Sequence, residues 1–475
     1  MAEPSAAAGS GGGLKAGRPD RRRVVIVGGG GFGGLTAARE LAGAEDVEVT
    51  VVDRVHHHLF QPLLYQVACG GLAAGEIAPP IRAVLRRRHA NVRVLMAQAT
   101  GLDPERRLLE LDGGEQLEYD SLIVACGART SYFGHDEWRQ TTCGLKTLAD
   151  ALALRGRLYS ALERAERCED ARERQELLTF VVIGAGPTGV EVAGEIAIVC
   201  KDTLSRQYTR IGPGDVRVIL LDAGQRVVPS FSERLSRKTA SQLASLGVSI
   251  RVDSPVTAID AEGVTIAVEE AGRRGPGSSG ARGQAGAPDA DHQTGAPTDG
   301  PTHQHIAART VVWAAGVQAV PFATTVAQAT GAETDRAGRV RVASDLTIAG
   351  HPEISMVGDA ISLDGSEGKP LPGLATVAIQ QARHVAKAIR AGAPSATTPF
   401  HYLDKGALAV VGRGRAVCAI RGVELWGRPA FFTYLTVHMY YLGGVPGQRL
   451  KVMIDWITAR LGRPQSQVIE GVLEP

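Results

Sequence analysis

The sequence predicts an α/β fold with two Rossmann-like dinucleotide-binding domains, followed by a C-terminal helical segment suited to a membrane interface. Three observations predict it. The stretch VVIVGGGGFGGLTAAREL (24–41) reads as apolar strand, glycine-rich turn and helix. The same order returns in LLTFVVIGAGPTGVEVAGEIAIV (177–199). Near the end, WGRPAFFTYLTVHMYYLGGVPGQRLKVMIDWITARLGR (426–463) mixes apolar, aromatic and basic residues in runs too short to span a bilayer.

A chain of 475 residues has room for two or three domains. Its net charge of +2 excludes nucleic acid as the main partner, which calls for a strong basic patch, and leaves local basic patches at a membrane surface open. The six cysteines (Cys69, Cys126, Cys143, Cys168, Cys200, Cys418) are scattered. None forms C-x-x-C, so no zinc ribbon or redox dithiol is indicated, and they read as reduced, mostly buried thiols of a cytosolic protein. Residues 1–22 are rich in Gly, Ala, Ser and Pro, lack the apolar core of a signal peptide, and read as a disordered tail.

Taken in order, the first strand, Val24–Val27, meets glycines that fit G-x-G-x-x-G in two registers, Gly28/Gly30/Gly33 and Gly29/Gly31/Gly34. Such glycines permit the turn, let backbone approach a pyrophosphate, and let helix pack on strand. The pyrophosphate then sits at the positive end of the helix. The next strand, VEVTVVD, ends at Asp53, where a carboxylate that binds ribose hydroxyls is expected. Strand, helix and acid together raise this loop above an ordinary tight turn. Far downstream, ISMVGDA (354–360) ends a strand in Gly358-Asp359, which suits a carboxylate reaching the ribityl chain of a flavin. The first unit therefore reads as an FAD site.

In the second unit, Gly184, Gly186 and Gly189 form GAGPTG directly after FVVI, and the strand VRVILLD ends at Asp222. An acid there accepts from a free ribose 2′-OH and repels a 2′-phosphate. No arginine occupies that strand end, although Arg226 lies four residues on, and NADH is favoured over NADPH. Glu191 lies just inside the following helix and Glu195 one turn later on the same face. For Glu191, a place beside nicotinamide and flavin and a plain helix-dipole contact both remain open. Glu195 reads as structural. Residues 271–305 are low in complexity and read as a disordered insertion. Its two terminal histidines, His303 and His305, read as solvated rather than metal-binding.

With both loops placed, the chain resembles the type II NADH:quinone oxidoreductases, the single-chain, non-pumping NADH dehydrogenases, especially the actinobacterial kind. The motifs that carry the resemblance are HHLFQPLLYQVACGGL (57–72), GEIAPPIR (75–82), YDSLIVACGA (119–128), LTFVVIGAGPTGVEVAGEI (178–196), VWAAGV (312–317), VGDA (357–360), AIQQAR (378–383) and FHYLDKGALAVVGRGRAV (400–417). The resemblance implies non-covalent FAD at Gly29, Gly31, Gly34, Asp53, Gly358, Asp359 and Val377, with backbone near Pro62 and Ala99 close by. It implies NADH at Gly184, Gly186, Gly189 and Asp222. Gly127 of ACGA and Gly316 of WAAG mark crossings between the nucleotide domains. A quinone site is implied near Gly373–Gln381, with Gln380 and Glu191 as catalytic candidates. Hydride would pass from NADH to FAD, and two electrons from the flavin to quinone, without proton pumping.

The domains expected are FAD-binding (23–140 and 315–395), NADH-binding (141–314) and a C-terminal region (396–475) for membrane contact and homodimerisation, with the enzyme peripheral on the cytoplasmic face of the cell membrane. One departure stands out: where the family shows A-Q-x-A-x-Q, this chain has Thr376 in place of the first glutamine. The three histidines of VHHHLF do not point one way along an extended segment, so no metal is expected. Among rivals, a disulfide reductase needs C-x-x-C, and a sulfide:quinone oxidoreductase needs a cysteine pair beside the flavin. No cysteine lies between Cys200 and Cys418. Another NAD(P)H-dependent flavin reductase, or a flavin redox sensor, remains an alternative.

Overall fold

A computed structural model describes residues 21–85, 90–268, 302–365, 368–442 and 447–460, of which 458–460 are described by backbone alone. The predicted tail at 1–20 and most of the predicted insertion lie outside the described residues.

In chain order the helices are α1 (Phe32–Leu41), α2 (Leu64–Ala68), α3 (Ala74–Ile77) and α4 (Ile81–Leu85). Next come α5 (Leu148–Arg167), α6 (Ala171–Leu177), α7 (Pro187–Gln207) and α8 (Glu233–Ser245). The last are α9 (Pro321–Thr330), α10 (Ala375–Arg390), α11 (Arg428–Tyr441) and α12 (Gln448–Arg460).

Two parallel sheets carry the two glycine loops. The first runs Thr347–Ile348, His351–Met356, Ser121–Val124, Arg22–Val27, Val47–Asp53, Val92–Met96, parallel but for its Thr347–Ile348 edge. The second runs Val248–Arg251, Arg217–Leu221, Thr179–Ile183, Thr310–Trp313, Thr142–Cys143, parallel throughout. Their central strands, Val24–Val27 and Thr179–Ile183, are buried on both faces. Covered parallel strands read as continuous apolar runs, which is why both stood out in the sequence. The segments crossing between the sheets, Ala128–Thr130 and Val317–Ala319, pair with each other as an antiparallel ribbon.

Two boundaries move. Arg22, assigned to the tail, opens the first strand opposite Val47 and donates to the carbonyls of Ile389 and Ala393. Thr302–His305, assigned to the insertion, belongs to strand Thr302–Ala307, which pairs antiparallel with Gly263–Val268. Its residues 302–305 are exposed, so the backbone ladder rather than apolar burial holds this edge strand. His303 and His305 bond the hydroxyls of Thr257 and Thr265 at 3.3 Å.

The antiparallel sheet Ala407–Gly412, Arg415–Ile420, Val423–Trp426 packs on α7 and α11. A Cβ on Gly194 of α7 would fall 1.8 Å from the Val411 carbonyl oxygen, so helix and strand meet backbone to backbone. α11 buries Ala430 and Tyr434, and α12 buries Val452. Leu450, Met453, Ile454 and Ile457 of α12 stay exposed. No helix among the described residues is long and apolar enough to cross a membrane. All six cysteines are free, four of them buried.

Candidate active site

In the second loop Gly184 has φ +103°, Gly186 caps α7 with Pro187 at its first turn, and a Cβ on Gly189 would fall 1.7 Å from the Gly184 carbonyl oxygen. The first loop repeats these roles. Gly28 has φ +93°, Gly31 caps α1, and a Cβ on Gly34 would fall 2.2 Å from the Gly28 carbonyl oxygen. The roles therefore fall on Gly28, Gly31 and Gly34, and neither predicted register holds. The first loop is one residue longer than the second. Gly29 is not the turning glycine; it lies against Val51, whose Cγ1 would be 2.2 Å from an added Cβ. Gly30 donates its N–H to Asp53 Oδ2 at 2.7 Å.

Each second strand ends in an acid that steadies its loop. Asp53 also accepts from Val55 N–H at 2.9 Å, and burial still raises its pKa above the usual carboxylate value. Asp222 accepts from Ala185 N–H and, at 2.6 Å, from Gly224 N–H. Arg226 donates to the carbonyls of Pro229 and Phe231, both at 2.8 Å, and so turns into its own loop rather than toward a 2′-phosphate.

The third part of the flavin cradle lies where His351–Met356 ends. Gly358 has φ +81°, and Asp359 pairs with Lys146 at 3.2 Å. Both line a cavity of 270 Å³ with Gly373, Val377 and Gln381. Gln381 is buried, and its Oε1 accepts from Gly358 N–H at 2.7 Å. Lys146 and Gln381 escaped the sequence reading. Lys146 directly precedes the Thr147–Asp150 capping box of α5, and Gln381 stands beside a glutamine that drew the attention instead.

Gln380 is not brought to this cavity. Its amide both donates to and accepts from the backbone of Leu403 at 3.0 Å. Neighbouring helix positions point about 100° apart, so only one of the two glutamines faces the cradle. Thr376 likewise bonds the Tyr402 hydroxyl at 3.1 Å. The two motif positions thus tie residues 402–403 to α10.

Gly127 has φ +71° and accepts from Val320 N–H across the crossing ribbon. Gly316 accepts from Ser131 N–H at 3.0 Å, and an added Cβ there would meet the Phe133 ring at 2.3 Å. Ala99 opens the strand Ala99–Asp103. Pro62 sits in the turn Gln61–Leu63, its carbonyl 3.5 Å from the Tyr434 hydroxyl. His58 is buried, bonds the Gly30 carbonyl at 2.8 Å, and burial lowers its pKa to about 4. Among the described residues no group of three His, Cys, Asp or Glu could hold a metal.

Glu191 lies in the second turn of α7 and accepts weakly from Val410 N–H, 3.4 Å away. Burial raises its pKa to about 8, so it keeps a proton at neutral pH. Glu195 is buried one turn on and is also shifted upward by burial.

Two glycine loops, each packed against its own helix at a glycine that admits no Cβ and each with an acid at its rim, fit two dinucleotides. A model of the pyridine nucleotide-disulphide oxidoreductases matches residues 22–382. The chain is also 41% identical to the type II NADH:quinone oxidoreductase Ndh of Mycobacterium tuberculosis, over 95% of this chain and 91% of that one. It belongs to the type II NADH:quinone oxidoreductase family. NdhA of the same organism is 40% identical over 92% of this chain and 87% of its own. The type II fold is shared with NDH2 from Plasmodium falciparum in complex with NADH, at TM-score 0.79, 19% identity, 94% of this chain and 99% of that one. A sulfide:quinone oxidoreductase from Aquifex aeolicus matches less closely, at TM-score 0.66 and 16% identity, over 96% of this chain and 99% of that one. This chain has neither the C-x-x-C expected of a disulfide reductase nor, between Cys200 and Cys418, any cysteine for the pair expected of a sulfide:quinone oxidoreductase.

Proposed function

We propose that this chain oxidises NADH and reduces a membrane quinone through non-covalent FAD, without pumping protons. The observation that carries the reading is the pair of separate dinucleotide cradles in one chain. Bound in the first cradle, FAD supplies hydride acceptance from NADH and electron transfer to quinone. The residues supply the rest. The N-termini of α1 and α7 would receive the two pyrophosphates at their positive ends. Asp53 and Asp222 hold the riboses, and Asp359 the ribityl chain. Asp222, with Arg226 turned away, selects NADH over NADPH.

Glu191, at the head of α7, positions the nicotinamide or holds a proton for the quinone step. Gln380 and Thr376 act on the quinone side by fixing residues 402–403 against α10, and Gln381 holds Gly358 in the cradle. Association with the cytoplasmic membrane surface runs through α11 and α12, whose exposed Phe432, Leu450, Met453, Ile454 and Ile457 suit a lipid interface. The homodimer expected of this region is checked by light scattering.

The purified protein tests the reading directly. A yellow protein that NADH bleaches rapidly and quinone re-oxidises supports it. A colourless protein that cannot be reconstituted with FAD, or a yellow one that ignores NADH, overturns it. Slow bleaching would favour a redox sensor instead.

A further inference from the structure

A continuous hydrogen-bond chain links the apolar C-terminal helix to the turn at Pro62. The indole Nε1 of Trp456 donates to Gln66 Oε1 at 2.8 Å. An indole nitrogen only donates, so it fixes which end of the Gln66 amide is oxygen. The other end, Nε2, therefore donates to the Tyr65 hydroxyl oxygen at 2.8 Å. The Tyr65 hydroxyl pairs in turn with the Tyr434 hydroxyl, 3.2 Å away, and either oxygen can donate to the other. The series ends where the Tyr434 hydroxyl faces the Pro62 carbonyl at 3.5 Å, its longest contact.

The surroundings hold the series in place. Both tyrosines are buried, and two buried hydroxyls cost stability unless each finds a partner. His438 stacks on Tyr434 with ring centroids 3.8 Å apart and bonds the Tyr434 carbonyl. The start of the series is on the face of α12 that touches the body, since Val452 is buried one turn before Trp456. The opposite face carries the exposed Leu450, Met453, Ile454 and Ile457. Gln448 adds a second tether by donating to the Glu76 carbonyl.

We propose that Trp456, Gln66, Tyr65 and Tyr434 are positioning residues that couple the seating of α12 on a lipid surface to the placement of the Gln61–Leu63 turn beside the flavin, and through it to re-oxidation of the flavin by quinone. This rests on the reading above that Pro62 borders the flavin. The four side chains act through the backbone at Pro62 rather than on the reacting atoms themselves.

The test uses the full-length flavoprotein with Trp456→Phe, Tyr434→Phe and the double variant, on phosphatidylethanolamine–phosphatidylglycerol vesicles with or without a long-chain ubiquinone. Bleaching by NADH in the wild type is read first, because its failure would sink the functional reading rather than the coupling. Quinone-free vesicles should shift the visible circular dichroism of the wild-type flavin and leave that of each variant unchanged. Re-oxidation by vesicle quinone should fall about fivefold in kcat, the worth of one uncharged hydrogen bond. KM, vesicle binding and NADH bleaching should hold. The double variant should lose no more than the single ones, because both break one series. Additive losses, equal dichroism shifts in all proteins, or a loss that tracks detachment from vesicles would overturn the proposal. Trp456→Phe, at the half-buried end, keeps the test open if Tyr434→Phe fails to fold.

Discussion

At the scale of single residues, Glu191 makes the sharpest prediction. Its folded pKa of about 8 lies above the ordinary 4.5, so between those values the folded state binds more protons than the unfolded one. Stability must then fall as pH rises through that window, by up to about 1.4 kcal/mol per pH unit. Glu191→Gln removes this slope, and urea unfolding at pH 6 and 7.5 should show the variant's stability advantage over wild type growing between the lower and the higher pH. If Glu191 also serves the reaction, quinone-linked turnover in Glu191→Gln should drop about tenfold or more. Asp222 supplies a second check. Asp222→Ala should raise KM for NADH and narrow the preference over NADPH, read from steady-state rates with both cofactors. The residue scale is also where sequence reading was weakest. AIQQAR announced a functional glutamine but not which one, since a 100° turn decides between Gln380, tied to Leu403, and Gln381, tied to Gly358.

At the scale of elements, each strand–loop–helix unit works because its third glycine lets helix lie on loop. Gly189→Ala would press a methyl carbon into the Gly184 carbonyl, and Gly34→Ala into that of Gly28. Both should disrupt their loops, with different outcomes. Gly34→Ala should yield protein depleted in flavin, read from the visible absorbance. Gly189→Ala should keep the colour but bleach slowly with NADH in stopped flow. Both units were legible in the sequence because a covered parallel strand is an uninterrupted apolar run and the close approach of helix to loop admits only glycine. The register of the first loop was not. Four consecutive glycines conceal which one takes φ +93°, and only the contact between Gly34 and Gly28 reveals a loop one residue longer. The strand Thr302–Ala307 hid for the opposite reason: an exposed edge held by backbone bonds carries no apolar signature.

At the scale of the whole molecule, the second nucleotide unit and the C-terminal helices are far apart in sequence yet share one core. The segment Phe60–Leu72, α5, α7, the sheet Ala407–Trp426, Tyr434 and Val452 pack in a single hydrophobic cluster. Composition pointed to an interfacial helix at the end of the chain, but a bond such as Trp456 to Gln66 spans 390 residues and has no local pattern. The cluster holds the inner face of α12 and leaves Leu450, Met453, Ile454 and Ile457 exposed on its outer face. Ile454 and Ile457 are 47% and 51% exposed, and at about 1 kcal/mol each for such half-exposed chains, replacing both with glutamate should weaken vesicle binding about tenfold or more. Co-sedimentation reads that loss. Because neither side chain belongs to the shared core, bleaching by NADH and re-oxidation by a water-soluble quinone should stay at wild-type rates, while re-oxidation by vesicle quinone falls with binding. If the water-soluble reaction fell as well, the outer face of α12 would be supporting the fold instead of meeting the bilayer, and the route from lipid to flavin would have to enter elsewhere.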